Sequence, residues 1–167
     1  MDEPTRKEKG DLAELKVACD LRERGYGIAL PFGEESDYDL VMDRNGKLER
    51  VQVKHADSGG EVISVQCYSN SLTNGRVRKV KRYTAATIDW LAVYDCATDR
   101  CYYVPSSELG NGRRELTLRL TPPGNHQRAG IRYANDYLDL DERPRLPMEP
   151  AGLEPATSCL QGRRSPN

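Results

Sequence analysis

No Cys-x-x-Cys pair occurs among the five cysteines, Cys19, Cys67, Cys96, Cys101 and Cys159. Their odd number and irregular spacing argue against a disulfide framework and against a zinc site. Cys96 and Cys101 flank a short turn across which a bridge would fit, but a reduced pair is the commoner outcome in a cytosolic protein. No apolar run approaches the ~20 residues of a membrane-spanning helix. The opening MDEPTRKEKG is charged and has no apolar secretory core, so a cytoplasmic location is expected. Net charge is almost absent too, at −1, so any affinity for nucleic acid must come from a local cluster. Internal repeats are lacking.

What is present fits one domain. A chain of 167 residues, 37% hydrophobic and 31% charged, sustains one modest core. Residues 1–141 are expected to form that domain. After Asp141 the sequence holds five of the ten prolines and shows no periodicity, so 142–167 is expected to be a disordered tail. Its end, GLEPATSCLQGRRSPN, reads like the translated antisense of a transfer-RNA gene, which suggests a reading frame that runs into such a neighbour.

From Arg6 to about Gly25 the chain lacks proline, is rich in Leu, Ala, Glu and Lys, and ends at a capping glycine, which predicts a helix. YGIALPF reads as a first short strand stopped by Pro31, and EVISVQCYS alternates as a later one. SNSLTNGRVRKVKRYTAAT is a polar, basic connection expected to turn helical near Lys81 to Ala86. IDWLAVYD, CYYVP and ELTLRL read as strands, and GIRYANDYL as a small closing element.

Asn45-Gly46 is a strong signal for a two-residue hairpin turn, because both central positions of a type I′ turn require positive φ. Pairing Arg44 with Lys47 sets Leu40 against Val51 and Asp39 against Gln52. Directly opposed side chains have Cβ atoms about 4.5–5.5 Å apart, close enough for two oxygens to share one cation. Alternation puts Gln52 and Lys54 on the Asp39 face and sends Val51 and Val53 the other way, with Leu40 and Met42. At 100° per residue, Glu14 falls beside Gly10, Val17, Ala18 and Leu21 on the apolar side of the first helix. A buried carboxylate neutralises, finds a cation such as Lys54 or Arg50, or binds a metal.

A helix glutamate, an aspartate at a strand start (SDYDLV) and a Gln-x-Lys on the next strand (VQVK) resemble the PD-(D/E)XK nuclease superfamily. The order of elements from residue 8 to about 140 is similar to the branch that holds group I intron-encoded homing endonucleases. The resemblance implies a restriction-endonuclease-like α/β fold: a mixed central β-sheet flanked by helices, with the Glu14 helix on one side and a basic helix near residue 82 on the other. Tyr38 stands where the motif has proline, and Gln52 where it has an acid. Homing enzymes of this branch are known for a QxK variant, so activity is implied.

By the same resemblance, Asp39 is the main Mg²⁺ ligand (Mn²⁺ being an alternative), joined by the Gln52 amide oxygen and the Val53 carbonyl. Glu14 would hold a coordinated water or a second cation, and Lys54 would orient the attacking water. RVRKVKR, with Arg76, Arg78, Lys79, Lys81 and Arg82, is the candidate phosphate-binding run; Arg113, Arg114, Arg119 and Arg128 form a looser one. The expected function is a metal-dependent DNA endonuclease, of the homing or mobile-element type or a junction-resolving relative. It would act on double-stranded or branched DNA as a homodimer or homotetramer. The alternative is a non-catalytic DNA-binding module with a decayed nuclease site.

Overall fold

The computed structural model describes residues 3–33, 36–73, 76–122 and 130–140. The expected tail, 142–167, lies outside the described residues, as do His126, Arg128 and Cys159.

Helix α1 (Arg6–Glu23) starts where Thr5 and Glu8 satisfy each other's backbone N–H groups in a capping box. It is followed by Gly25, whose φ of 90° suits a residue without Cβ. Its Ala13, Val17 and Leu21, four residues apart, are fully buried. The strands that follow are β1 (Gly27–Ala29), β2 (Leu40–Arg44), β3 (Lys47–Ala56), β4 (Val62–Gln66), β5 (Tyr68–Thr73), β6 (Arg76–Arg82), β7 (Trp90–Asp95), β8 (Arg100–Pro105) and β9 (Glu115–Arg119). Short 3-10 turns cover Ser106–Leu109 and Ala134–Tyr137.

Five strands form the central sheet in the order β1-β2-β3-β7-β8, with β3 and β7 parallel and every other pair antiparallel. One face packs Leu40, Met42, Val51, Val53, Trp90, Ala92 and Tyr103 against α1. The other packs Leu91, Val93, Tyr102 and Val104 against Ile63, Val65, Leu116 and Leu118 of the two-stranded β4-β9 sheet. Truncating Val17 or Leu21 to alanine would cost about 1–5 kcal/mol through lost burial and the cavity left behind. Trp90, Leu91, Tyr94, Tyr102 and Tyr103 all lie in these two layers and are buried. The described cysteines, Cys19, Cys67, Cys96 and Cys101, are free.

The restriction-endonuclease-like α/β architecture is therefore present, but one element departs from expectation. Residues 76–82 form strand β6, paired antiparallel with β5, and the chain turns at Thr84–Thr87 without entering a helix. Thr73 pairs with Arg76 across two residues whose sequence is Asn74-Gly75, the same hairpin dipeptide as at 45–46. The EVISVQCYS run is split at Cys67, whose N–H donates to Arg114 O and whose carbonyl accepts from Tyr83 N, so that β4 and β5 join different sheets.

Candidate active site

The first hairpin carries the site. Asn45 and Gly46 both have positive φ, 57° and 82°, and the register runs from Arg44↔Lys47 to Leu40↔Val51. At Asp39 the ladder ends while β3 continues to Ala56. The Asp39 N–H donates to Val51 O at 3.0 Å, one step out of the register that would pair it with Gln52. The side chain then does what a longer β2 would have done: the Asp39 carboxylate accepts from Val53 N at 2.8 Å and from Gln52 Nε2. Gln52 Nε2 also donates to Val53 O at 3.2 Å. Asp39 Oδ2, Val53 O and the Gln52 amide thus converge on one buried spot, with Gln52 only 8% exposed.

Burial raises the Asp39 carboxyl above its ordinary range, opposed by the Val53 N–H, the Lys54 charge and the Gln52 amide. Glu14 is raised as well, first by burial and then by the negative charges of Asp39 and Asp11. The helix bearing Glu14 packs on the Val51 and Val53 face, opposite Gln52 and Lys54. Glu14 and Asp39 nevertheless interact, because Asp39 stands where the sheet opens beyond the end of β2. Arg50 does not serve Glu14: its Nε and backbone N bind Asp89 at 3.0 and 2.8 Å.

Lys54 lies with its ammonium 5.1 Å from the centroid of the Tyr83 ring. Tyr83 is 1% exposed, and its hydroxyl has no hydrogen-bond partner among the described residues. Two residues upstream, on β6, Lys81 Nζ reaches Asp37 at 2.8 Å. The chain at the end of β6 is thereby tied at two points to the first hairpin: to Lys54 through Tyr83, and to the Asp37–Asp39 turn through Lys81. His55 points the other way and pairs edge-on with Tyr94.

Of the basic run, Arg76, Arg78 and Lys79 fall on β6, and their side chains lie outside the described part. Arg82 is exposed beside a cleft lined by Tyr68, Asn70, Val80 and Arg114. Arg113 is exposed as well, whereas Arg119 donates to Thr121 O. The tie between β6 and the site was not legible locally, since it joins residues distant in sequence. The one local signal was Asn74-Gly75, which marks 76–82 as the return strand of a hairpin.

Among the described residues no three of His, Cys, Asp and Glu converge. The set that does converge is one carboxylate, one amide and one backbone carbonyl, with a second carboxylate coupled from the helix side. Such hard oxygens suit Mg²⁺, Mn²⁺ or Ca²⁺, and the absence of thiol and imidazole argues against a softer ion. The residues present therefore fit a divalent cation, provided that Gln52 offers its oxygen.

A mixed five-stranded sheet whose hairpin opens onto Asp39, with Gln52 and Lys54 on the neighbouring strand, has the arrangement of the restriction-endonuclease-like class. The chain belongs to the PD-(D/E)XK endonuclease family, whose model matches residues 4–140. Nucleases of this family generally use divalent metals. Among solved structures the chain is similar to a bacterial homing endonuclease, I-Ssp6803I, with a TM-score of 0.63 and 26% identity, covering 80% of this chain and 88% of that one. No curated protein matches it.

Proposed function

We propose that the protein is a divalent-metal-dependent DNA endonuclease, of the homing or mobile-element type or a junction-resolving relative. The observation that carries this reading is the convergence of Asp39 Oδ2, Val53 O and the Gln52 amide, with Lys54 on the same strand. Asp39, Val53 O and the Gln52 amide oxygen would hold Mg²⁺ or Mn²⁺, and Glu14 would hold a coordinated water or a second cation from the helix side. The bound metal would supply a water of lowered pKa and neutralise charge on the scissile phosphate. Lys54 orients the attacking water and offsets charge as the phosphate is attacked. The Tyr83 ring, itself fully enclosed, keeps that ammonium in place.

Double-stranded or branched DNA is the proposed substrate. A two-stranded ribbon has the width of a major groove, and β5-β6 brings Arg76, Arg78, Lys79, Lys81 and Arg82 onto one such ribbon. One site cuts one strand, so a homodimer or homotetramer would serve both. The test is incubation with supercoiled and branched DNA in Mg²⁺ or Mn²⁺. Nicked or linear products are expected from the wild type and are lost in Asp39→Ala and Lys54→Ala, while both variants still bind.

A second reading is supported by the replacement of the acid by Gln52, whose nitrogen faces the other donors. It makes the protein a DNA-binding module without chemistry. Binding without cleavage in every metal and on every substrate would select it.

A further inference from the structure

The Gln52 amide presents the group that a metal site does not want. Its Nε2 donates to Asp39 Oδ2 and, at 3.2 Å, to Val53 O, the two oxygens that would face a cation. The Val53 carbonyl carries no hydrogen, nor does Asp39 when ionised, and both face a side chain that is 8% exposed. Asp39 Oδ2 also accepts from Val53 N at 2.8 Å, but an amide oxygen turned toward Asp39 Oδ2 and Val53 O would set three acceptors together with no donor among them, which is costly. In the metal-free protein the amide therefore has to show its nitrogen. With a cation in place the demand reverses, since an N–H2 cannot approach a metal and the amide oxygen can.

From this opposition we infer that Gln52 is a two-state positioning residue. In the empty site its N–H2 takes the place of the cation between Asp39 and Val53, and on metal binding the amide turns over to present Oε1. The inference rests on the metal-dependent reading above. Turning over is a rotation about the last side-chain bond, so β3 keeps its backbone and its register with β2 and β7. The acid of the family motif could not play both parts. A glutamate would set a second negative charge against the Asp39 carboxylate and the Val53 carbonyl, an all-acceptor cluster that only a cation or a proton relieves. On this view the glutamine lowers affinity for the metal and in return lets the site stay assembled without it.

The experiment follows the side-chain amide itself by nuclear magnetic resonance on the full chain, with glutamine side chains labelled with nitrogen-15. The Gln52 signal is identified by its loss in Gln52→Glu. In EDTA its N–H2 protons should exchange with solvent at least tenfold more slowly than those of an exposed glutamine. Saturating Mg²⁺ should shift the signal and remove that protection, with the backbone signals of β3 outside residues 52–54 unchanged. Free exchange in EDTA would overturn the closed state. Protection that persists while calorimetry registers bound Mg²⁺ would overturn the rotation. If calorimetry registers neither Mg²⁺ nor Mn²⁺ and the amide stays protected, the rotation falls together with the metal reading, and Gln52 is a permanent seal. Thermal unfolding gives an independent check: Gln52→Glu should melt lower than the wild type in EDTA and gain more from Mg²⁺. Equal melting points with equal gains would contradict the inference.

Discussion

Lys54 and Tyr83 form a charge-on-ring contact, with the ammonium 5.1 Å from the ring centroid and the ring 1% exposed. Such contacts contribute about 1–2 kcal/mol when desolvated. Tyr83→Leu should therefore slow cleavage by the folded protein roughly tenfold with DNA affinity unchanged, and lower the melting point as well because the ring is part of the core. Tyr83→Phe keeps the ring and removes a hydroxyl that has no partner among the described residues, so it should cut at the wild-type rate and be no less stable. Single-turnover rates and binding constants for the two variants provide the check.

Glu14 should make the fold pH-dependent in a direction opposite to that of a salt-bridged acid. Burial and the Asp39 and Asp11 charges raise its carboxyl above the ordinary carboxylate range, so folding shifts it toward the neutral form. This contribution is fully present below the unfolded value and is lost as pH rises through the raised one. In EDTA, Glu14→Gln should match the wild type near pH 4 and melt roughly 2–4 °C higher at pH 7. Melting curves across that range test the sign; a gap of constant size would mean that charge is not the cause.

The phosphate contact proposed for the ribbon would have a salt signature. Arg82→Ala should weaken DNA binding on every sequence and flatten the log–log salt dependence by about one unit. Lys81→Ala should do the same and also lower the cleavage rate of bound DNA, because Lys81 holds Asp37 at 2.8 Å, two residues before Asp39. Titrations at several salt concentrations, paired with single-turnover rates, separate the two effects.

The segment 142–167 is proposed to carry no part of the site. A chain ending at Asp141 should fold, bind DNA and cleave like the full chain, with rates within about twofold, as expected for removal of a proline-rich, aperiodic terminal segment. Loss of activity or a lower melting point on truncation would show that the segment contributes.

Much of the site was legible because one dipeptide fixes it. Asn45-Gly46 set the register, and alternation then separated Val51 and Val53 from Gln52 and Lys54. Helix α1 was equally plain from its composition, with Val17 and Leu21 on the buried side beside Glu14. The second hairpin departs from the helix expected near Lys81 to Ala86: arginine and lysine are good helix formers, but Asn74-Gly75 precedes RVRKVKR and favours a hairpin there. A strand partner in β5 overrides propensity at such a place. Neither the split at Cys67 nor the approach of Tyr83 to Lys54 could be read locally, since both depend on partners that meet only in the folded chain. The offset at Asp39, where side-chain bonds replace the ladder, is likewise a tertiary outcome.

The most direct measurement is the affinity for Mn²⁺, by calorimetry, of the wild type and Gln52→Glu, with plasmid cleavage followed in parallel. A metal site short of one charge predicts binding about tenfold tighter or better in the variant, with cleavage retained or faster. Unchanged affinity together with unchanged cleavage would mean that Gln52 is not a ligand and that the metal, if one is used, sits elsewhere.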